Sequence, residues 1–214
     1  MATPVKIDLR LTLHYGLAIF LSAFLLFQVQ PLIGKMILPW FGGSASVWTT
    51  CMLFFQMTLL LGYFYSHWVV RYLSPYRQSL LHGSLLLLCL VLLPIGASAD
   101  WKPSGAENPT LRILGLLMAS IGLPYFVLST TGPLLQAWFA RERSGVVPYR
   151  LFALSNFGSM LALLAYPLAV EPFFPTRWQS YLWSGLFACF VVAGGLLAWR
   201  GRNGKPLAAQ HHHD

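Results

Sequence analysis

Two amides, a proline and a lysine lie close together inside an apolar stretch near the start of the chain. The segment "FQVQPLIGKM" holds Gln28, Gln30, Pro31 and Lys35, and it follows the apolar "LTLHYGLAIFLSAFLL". A proline lacks the backbone N–H of a helix and clashes with the preceding turn, so we predict a break or kink at Pro31. The two amides can supply donors to the carbonyls that a break leaves free. Lys35 is expected to extend to the membrane surface.

Other polar residues lie deep in apolar segments farther along the chain. Their positions are Gln56, Thr130, Thr131, Pro133, Gln136 and Asn156. Interrupted helices at corresponding places of two repeats indicate a transporter binding site, so we treat these residues, together with Gln28, Gln30 and Pro31, as a candidate polar cavity or helix break. Polar side chains at such depth normally face the bundle, where hydrogen bonding between helices is the alternative role.

The composition indicates an all-α integral membrane protein. The chain is 57% hydrophobic and 9% charged, with a mean hydropathy of +0.62, which is too apolar for a soluble domain of 214 residues. A spanning helix needs about 20 mainly apolar residues. Six segments qualify: 11–38, 45–70, 78–97, 110–139, 151–170 and 179–199. We therefore predict a transmembrane domain over 11–199, with cytoplasmic ends at 1–10 and 200–214.

The placement of charge predicts the orientation of these helices. Ten Lys and Arg residues lie in the two ends and the even-numbered loops, against four in the odd-numbered loops: Lys35, Lys102, Arg112 and Arg177. Cytoplasmic loops carry the excess of Lys and Arg, so both termini should be cytoplasmic. The net charge of +8 is explained in this way, and we expect no nucleic-acid partner.

The two halves of the chain repeat one another. "PYRQSLLHG" begins at Pro75 and "PTRWQSYLWSG" at Pro175, and with one inserted residue their Arg, Gln and Ser residues match. Pro31 also matches Pro133 at an offset of 102 residues. Three spans per half make the halves inverted relative to each other, as in many transporters. The predicted fold is a 3+3 inverted repeat that resembles half of a major-facilitator fold.

Three segments closely resemble one family. "FLLFQVQPLIGKMILPWFGGSASVWTTCMLFFQ", "YFVLSTTGPLLQAWF" and "PYRLFALSNFGSMLALLAYPLAVEP" are similar to the membrane module of bacterial fused major-facilitator/spermidine-synthase proteins. That resemblance implies a location in the bacterial inner membrane. Family members usually carry an aminopropyltransferase-like domain after the membrane part. These 214 residues lack the glycine-rich loop and paired acids of such a domain, so we expect no aminopropyl transfer from them.

No pattern in the sequence predicts catalysis or a cofactor. A nucleophile elbow, an H-E-x-x-H pattern and a phosphate loop are all missing from the sequence. His14, His67 and His82 fall near the cytoplasmic ends of the first three spans and are weak candidates for a metal site. Ordinary hydrogen bonding at the interface is the favoured interpretation of these histidines. We predict neither enzyme activity nor a bound cofactor.

Two functions fit these observations. The favoured one is a non-catalytic subunit of a larger membrane complex, because no carboxylate for ion-coupled transport lies deep in a span. The alternative is a half-transporter that moves a small or amphipathic solute as a homodimer, with a polyamine suggested by the family. Either function needs a protein partner in the lipid bilayer, and a heteromeric one is preferred. Gly185, Cys189 and Ala193 recur every four residues and form a candidate helix contact.

Overall fold

The protein is all-helical in the part of the chain that the structure describes. A computed structural model describes residues 9–103, 105, 108–142 and 149–203, so the predicted ends at 1–10 and 200–214 lie almost entirely outside it. Its helices are α1 (Leu9–Phe41), α2 (Ala45–Tyr72), α3 (Pro75–Val91), α4 (Pro109–Leu117), α5 (Leu123–Glu142), α6 (Tyr149–Ala165) and α7 (Thr176–Gly201). A π-helical segment, Met118–Gly122, joins α4 to α5, and a second one, Tyr166–Val170, extends α6.

Five helices of the described chain are long and apolar enough to cross a membrane. They cover Arg10–Phe41, Ala45–Tyr72, Pro109–Glu142, Tyr149–Val170 and Thr176–Gly201. They coincide with five of the six predicted spans, and this confirms the all-α, membrane-type fold. Each observed helix is somewhat longer than its prediction, because apolarity alone does not mark the polar first and last turns.

The third predicted span, 78–97, extends beyond the end of its helix. Its helix, α3, runs from Pro75 to Val91 and has 17 residues. Pro75 takes the first helical position, where a proline loses no hydrogen bond. After Val91 the chain leaves the helix, and Ile95 turns back into the core, where it is only 2% exposed. Pro94 has no N–H for a continued helix, so the apolar run extends beyond the helix that it predicted.

A glycine allows the sharp connection between the first two helices. Gly42 has φ of 81°, a backbone conformation that side chains disfavour, and its N–H bonds the Leu38 carbonyl at 2.8 Å. Ser44 then adopts an extended conformation at the start of α2. The "FGGS" sequence therefore turns the chain and lets α2 run back along the bundle.

α1 and the segment formed by α4 and α5 lie at the centre of the bundle, and the other helices surround them. α6 and α7 pack on α1, α2 packs on α4 and α5, and α3 packs between α7 and α5. The most apolar windows of α1 and of α4–α5 are 61% and 56% buried, against 22% for α6. The peripheral helices therefore leave large apolar surfaces exposed.

Contacts between helix ends define the two ends of the bundle. The Tyr15 hydroxyl donates to Glu142 at 3.2 Å, and Arg200 lies 4.0 Å from the same carboxylate. We call this the basic end. At the other end, the far end, Lys35 lies 3.3 Å from Glu171. Both side chains of that pair are partly exposed, so its contribution to stability is small, about 0–1 kcal/mol.

Candidate functional site

The helices are continuous through both prolines that were predicted to interrupt them. α1 extends across Pro31 and α5 across Pro133, so neither proline breaks its helix, and the alternative of a kink stays a prediction. Each proline still removes one hydrogen bond, to the carbonyl four residues earlier. The carbonyls concerned belong to Phe27 and Ser129. The surrounding helices hold both segments helical despite the lost bonds.

A small cavity lies beside these two residues. It is bounded by α1, α2, α5 and α6, has a volume of about 100 Å³, and has Phe27 and Ser129 in its wall. We call it the central cavity. Ligand sites for small molecules occupy about 300–1,000 Å³, so this cavity is large enough for a few water molecules but not for a metabolite.

Three of the hydroxyl groups in the wall of the central cavity are bonded to carbonyls of their own helices. Ser22 donates to the Ile19 carbonyl at 2.9 Å, and Ser159 donates to the Ser155 carbonyl at 3.0 Å. Ser129 likewise donates to a carbonyl of its own helix. The residues in the cavity wall are uncharged. The central cavity therefore holds neither an acid–base pair nor a counter-charge for a cationic solute.

The first group of predicted polar residues serves to join α1 to α5. The Gln30 amide donates to the Tyr125 hydroxyl at 3.1 Å. Gln28 is buried, and its side-chain oxygen lacks a hydrogen bond within the described residues. A buried acceptor without a donor costs about 1–3 kcal/mol. The described residues around Gln28 do not supply the hydrogen bond that its side-chain oxygen needs.

The threonines before Pro133 bond within their own helix, and α2 contacts the α5 backbone beside them. The hydroxyls of Thr130 and Thr131 both donate to the Val127 carbonyl, at 2.8 Å and 2.9 Å. The Thr130 carbonyl in turn accepts a hydrogen bond from Ser66 of α2 at 3.0 Å. The Thr130 and Thr131 side chains therefore bond within α5, and the contact between the helices comes from Ser66 and a backbone carbonyl. Gln136, one turn farther on, is half-buried.

Gln56 and Asn156 point away from the bundle, against the expectation for deep polar residues. Both are exposed, and neither makes a hydrogen bond in the part of the chain that the structure describes. Gln56 lies about 17 Å from the start of α2, and Asn156 lies about 10 Å from the start of α6. A helix that spans a bilayer would place both amides at depths where no water is available.

The two amides belong to one side of the molecule. Leu59 of α2 and Ser159 of α6 both line the central cavity. Gln56 and Asn156 each precede one of these residues by three positions, and residues three apart share a helix face. We call this side the α2–α6 face and define it by Gln56, Leu59, Asn156, Ser159 and the central cavity between them.

The three histidines do not form a metal site. His14 and His67 are exposed, whereas His82 is buried against Trp138 with ring centroids 5.9 Å apart. The described residues contain no group of three His, Cys, Asp or Glu side chains that could hold a metal ion. The three helices bring these histidines to one end of the bundle, but their side chains point in different directions.

The predicted helix contact on α7 is only partly available for a partner. Gly185 and Cys189 are exposed, and a side chain at Gly185 would meet no atom within 4 Å. Ala193 packs partly against the apolar cluster of the basic end. A contact over Gly185 and Cys189 stays a prediction.

Gln78 has a role that was not predicted from the sequence. Its side-chain oxygen accepts from Trp138 and Arg141, both at 2.9 Å, and its amide donates to the Leu73 carbonyl at 2.8 Å. In the matching position, Gln179 donates to the Phe174 carbonyl at 2.7 Å, again five residues earlier. The repeated P-x-R…Q-S pattern was the signal that could have predicted this paired role.

Comparisons of the chain with protein-family models, with curated proteins and with solved structures give no match. The resemblance to the membrane module of the fused major-facilitator/spermidine-synthase proteins rests on the three segments quoted above, and it stays a prediction.

Proposed function

We propose that the chain is a non-catalytic, six-span subunit of a membrane complex, built as a 3+3 inverted repeat. In this arrangement α3, the third helix along the chain, also crosses the membrane and brings the number of spans to six. It is about 25 Å long, and the residues after Val91 complete the crossing. The matching contacts of Gln78 and Gln179 with carbonyls five residues earlier support the repeat. The packing of α2 on α5 and of α6 on α1 supports it too, since an inverted repeat exchanges these pairs.

The basic end is cytoplasmic in this proposal. It brings together the start of α1 and the ends of α5 and α7, where Arg141 and Arg200 lie. Cytoplasmic loops carry the excess of Lys and Arg, and the resemblance to bacterial proteins places the chain in the inner membrane.

The exposed amides of Gln56 and Asn156 carry the proposal of a protein partner. An unsatisfied polar group in hydrocarbon costs several kcal/mol, so two amides at these depths are poorly suited to face lipid. Polar side chains within a membrane commonly hydrogen-bond between helices. A partner that covers the α2–α6 face would supply those bonds and would also cover the mouth of the central cavity.

A heteromeric partner is favoured over a second copy of the chain. The central cavity is small and uncharged, which suits a scaffold better than a transport pathway. The alternative stays a homodimeric half-transporter for a small or amphipathic solute, with a polyamine suggested by the family resemblance. In that case two α2–α6 faces would meet and enclose the pathway, as the two halves of a facilitator do.

The mass of the natively extracted protein tests this proposal. The chain, expressed at its natural level, is extracted in a mild detergent and weighed by native mass spectrometry. A complex with a different protein is the expected result, and a homodimer would favour the transporter alternative. A variant with Gln56→Leu and Asn156→Leu should lose the partner, while Gly185→Leu, on the other candidate contact, should retain it. If the wild-type protein and the Gly185→Leu variant are both stable lone monomers, the subunit proposal and its alternative are contradicted.

A further inference from the structure

An open groove runs between α3 and α7 at the basic end. It has a volume of about 310 Å³ and is mainly apolar, and its wall includes Tyr76, Ser79, Gly83, Leu87, Gly195 and Arg202. We call it the α3–α7 groove. It lies on the opposite pair of peripheral helices from the α2–α6 face. A side chain added at Gly83 or Gly195 would meet no atom within 4 Å, so the two glycines leave the groove open.

The matching place at the far end is filled by the protein itself. There the segment after α3 folds back, and the hydroxyl of Ser180 donates to the Ile95 carbonyl. Ser184 accepts from the Ile95 N–H at 3.1 Å. Both backbone groups of Ile95 are thus satisfied by α7, and its side chain is buried.

At the basic end, the equivalent residues have no such partner. Ser79 corresponds to Ser180 in the sequence repeat, and Gly83 corresponds to Ser184. Ser79 lines the groove, is 8% exposed, and its hydroxyl lacks a hydrogen bond within the described residues. Buried hydroxyls are normally bonded, and within the described residues no segment supplies at the basic end the acceptor that the Ile95 carbonyl supplies at the far end.

The dimensions of the groove match one leaflet of a bilayer. Tyr76 and Leu87 on α3, and Val191 and Arg202 on α7, are each eleven residues apart along their helices. That separation is about 17 Å at 1.5 Å per residue. Half of a hydrocarbon core of about 30 Å is about 15 Å. The groove therefore extends from the membrane surface to the middle of the bilayer.

The charge is at the surface end of the groove. Arg202 lies there, with its guanidinium carbon 3.5 Å from the centre of the Trp199 ring, and the Tyr76 side chain is exposed beside it. The deeper wall consists of Leu87, Val191 and neighbouring apolar side chains. An occupant should therefore be anionic at one end and a hydrocarbon over the rest of its length.

We propose that the α3–α7 groove binds one anionic phospholipid from the leaflet at the basic end. One acyl chain lies along the groove past Gly83 and Gly195, and the phosphate lies against Arg202. A protein helix does not fit, because a helix about 10 Å across would fill roughly 1,300 Å³ over this length. Basic sites between transmembrane helices bind anionic lipid head groups by the same chemistry.

Native mass spectrometry after reconstitution tests the proposal. The protein is placed in nanodiscs that contain equal amounts of phosphatidylglycerol and phosphatidylcholine, and the lipid retained after release into detergent is measured. The wild-type protein should retain one phosphatidylglycerol in preference to phosphatidylcholine. Arg202→Gln should reduce that preference about fivefold, the effect of one cation near a membrane surface. Arg71→Gln, which removes a cation outside the groove, should leave the preference unchanged.

Filling the groove tests the place of the acyl chain. Gly195→Leu, and independently Gly83→Leu, should abolish retention of the lipid, while Gly185→Leu on the exposed side of α7 should not. Thermal unfolding of each variant in detergent identifies any that fails to fold, and the remaining filling variant then decides. Equal retention of both lipids by the wild type, or undiminished retention by a folded filling variant, would overturn the proposal.

Discussion

The amide side chains on the α3 and α7 side of the bundle differ from those on the α2–α6 face in burial and in hydrogen bonding. Gln78 on α3 is buried and uses both ends of its side chain, accepting from Trp138 and Arg141 and donating to the Leu73 carbonyl. Gln56 and Asn156 on α2 and α6 lie exposed at membrane depth and make no hydrogen bond within the described chain.

This difference distinguishes polar groups that stabilise the folded chain from polar groups that are available to bond a partner. A buried amide with all its partners in the same chain stabilises that chain and is unavailable to another molecule. An exposed amide at bilayer depth does nothing for the isolated chain and gains its hydrogen bonds only from a partner. Substitutions on the two sides should therefore affect different measurements.

The largest loss of stability is expected for Gln78→Leu. This change leaves the buried Trp138 indole N–H and the partly buried Arg141 and Leu73 carbonyl without their partner, and an orphaned buried group costs about 1–3 kcal/mol. We expect a loss of about 3 kcal/mol, measured by thermal unfolding in detergent. Gln179→Leu is the matched control and should cost less, because the Gln179 side-chain oxygen has no partner among the described residues. Equal losses would mean that the hydrogen bonds of Gln78 do not hold the basic end together.

Gly62→Ala should cause an intermediate loss. A Cβ at this position would lie 1.8 Å from the Ser129 hydroxyl oxygen and 3.1 Å from the Ser129 backbone carbon, so α2 and α5 would have to move apart. Overpacking of this kind costs about 1–3 kcal/mol. The same change at Gly185 meets open space and should stabilise the helix by about 1 kcal/mol, the ordinary advantage of alanine over glycine. A neutral Gly62→Ala in thermal unfolding would mean that α2 and α5 do not approach this closely.

The smallest effect on the isolated chain is expected for Gln56→Leu and Asn156→Leu. Neither amide has a partner to lose in the described residues, so the unfolding temperature of the purified monomer should be unchanged or slightly raised. Substitutions of exposed residues away from special features usually change stability by less than about 0.5 kcal/mol. A marked destabilisation of the monomer by either variant would place these amides among the folding contacts, and the contrast between the two sides would fail.

The sequence predicted the helices well, because a run of some 20 apolar residues has few alternatives to a spanning helix. It failed at α3, where the continuation of the apolar run after Val91 concealed a turn. That turn depends on contacts of Ile95 with Ser180 and Ser184, which lie more than 80 residues away. Such long-range contacts leave no trace in local hydrophobicity.

The direction of individual side chains was harder to predict than the helices. In a helix that is apolar on every face, no periodic pattern marks the side that is buried. Gln56 and Asn156 were therefore assigned to the interior by a general rule and lie outside. Pro31 and Pro133 were expected to break or kink their helices, and both helices continue past them. Only the repeated P-x-R…Q-S pattern indicated that Gln78 and Gln179 have equivalent roles.

Site-specific photo-crosslinking in intact membranes tests the central claim most directly. A photoreactive residue is placed at position 56 or 156 on the α2–α6 face, and at positions 88 and 185 on α3 and α7 as controls. Positions 56 and 156 should form covalent products with a second polypeptide, identified by mass spectrometry as a different protein, while the control positions should not. Products that contain only this chain would favour the homodimer. Adducts with lipid alone at positions 56 and 156, or protein products from position 185 only, would contradict the assignment of the α2–α6 face as the surface that binds a partner.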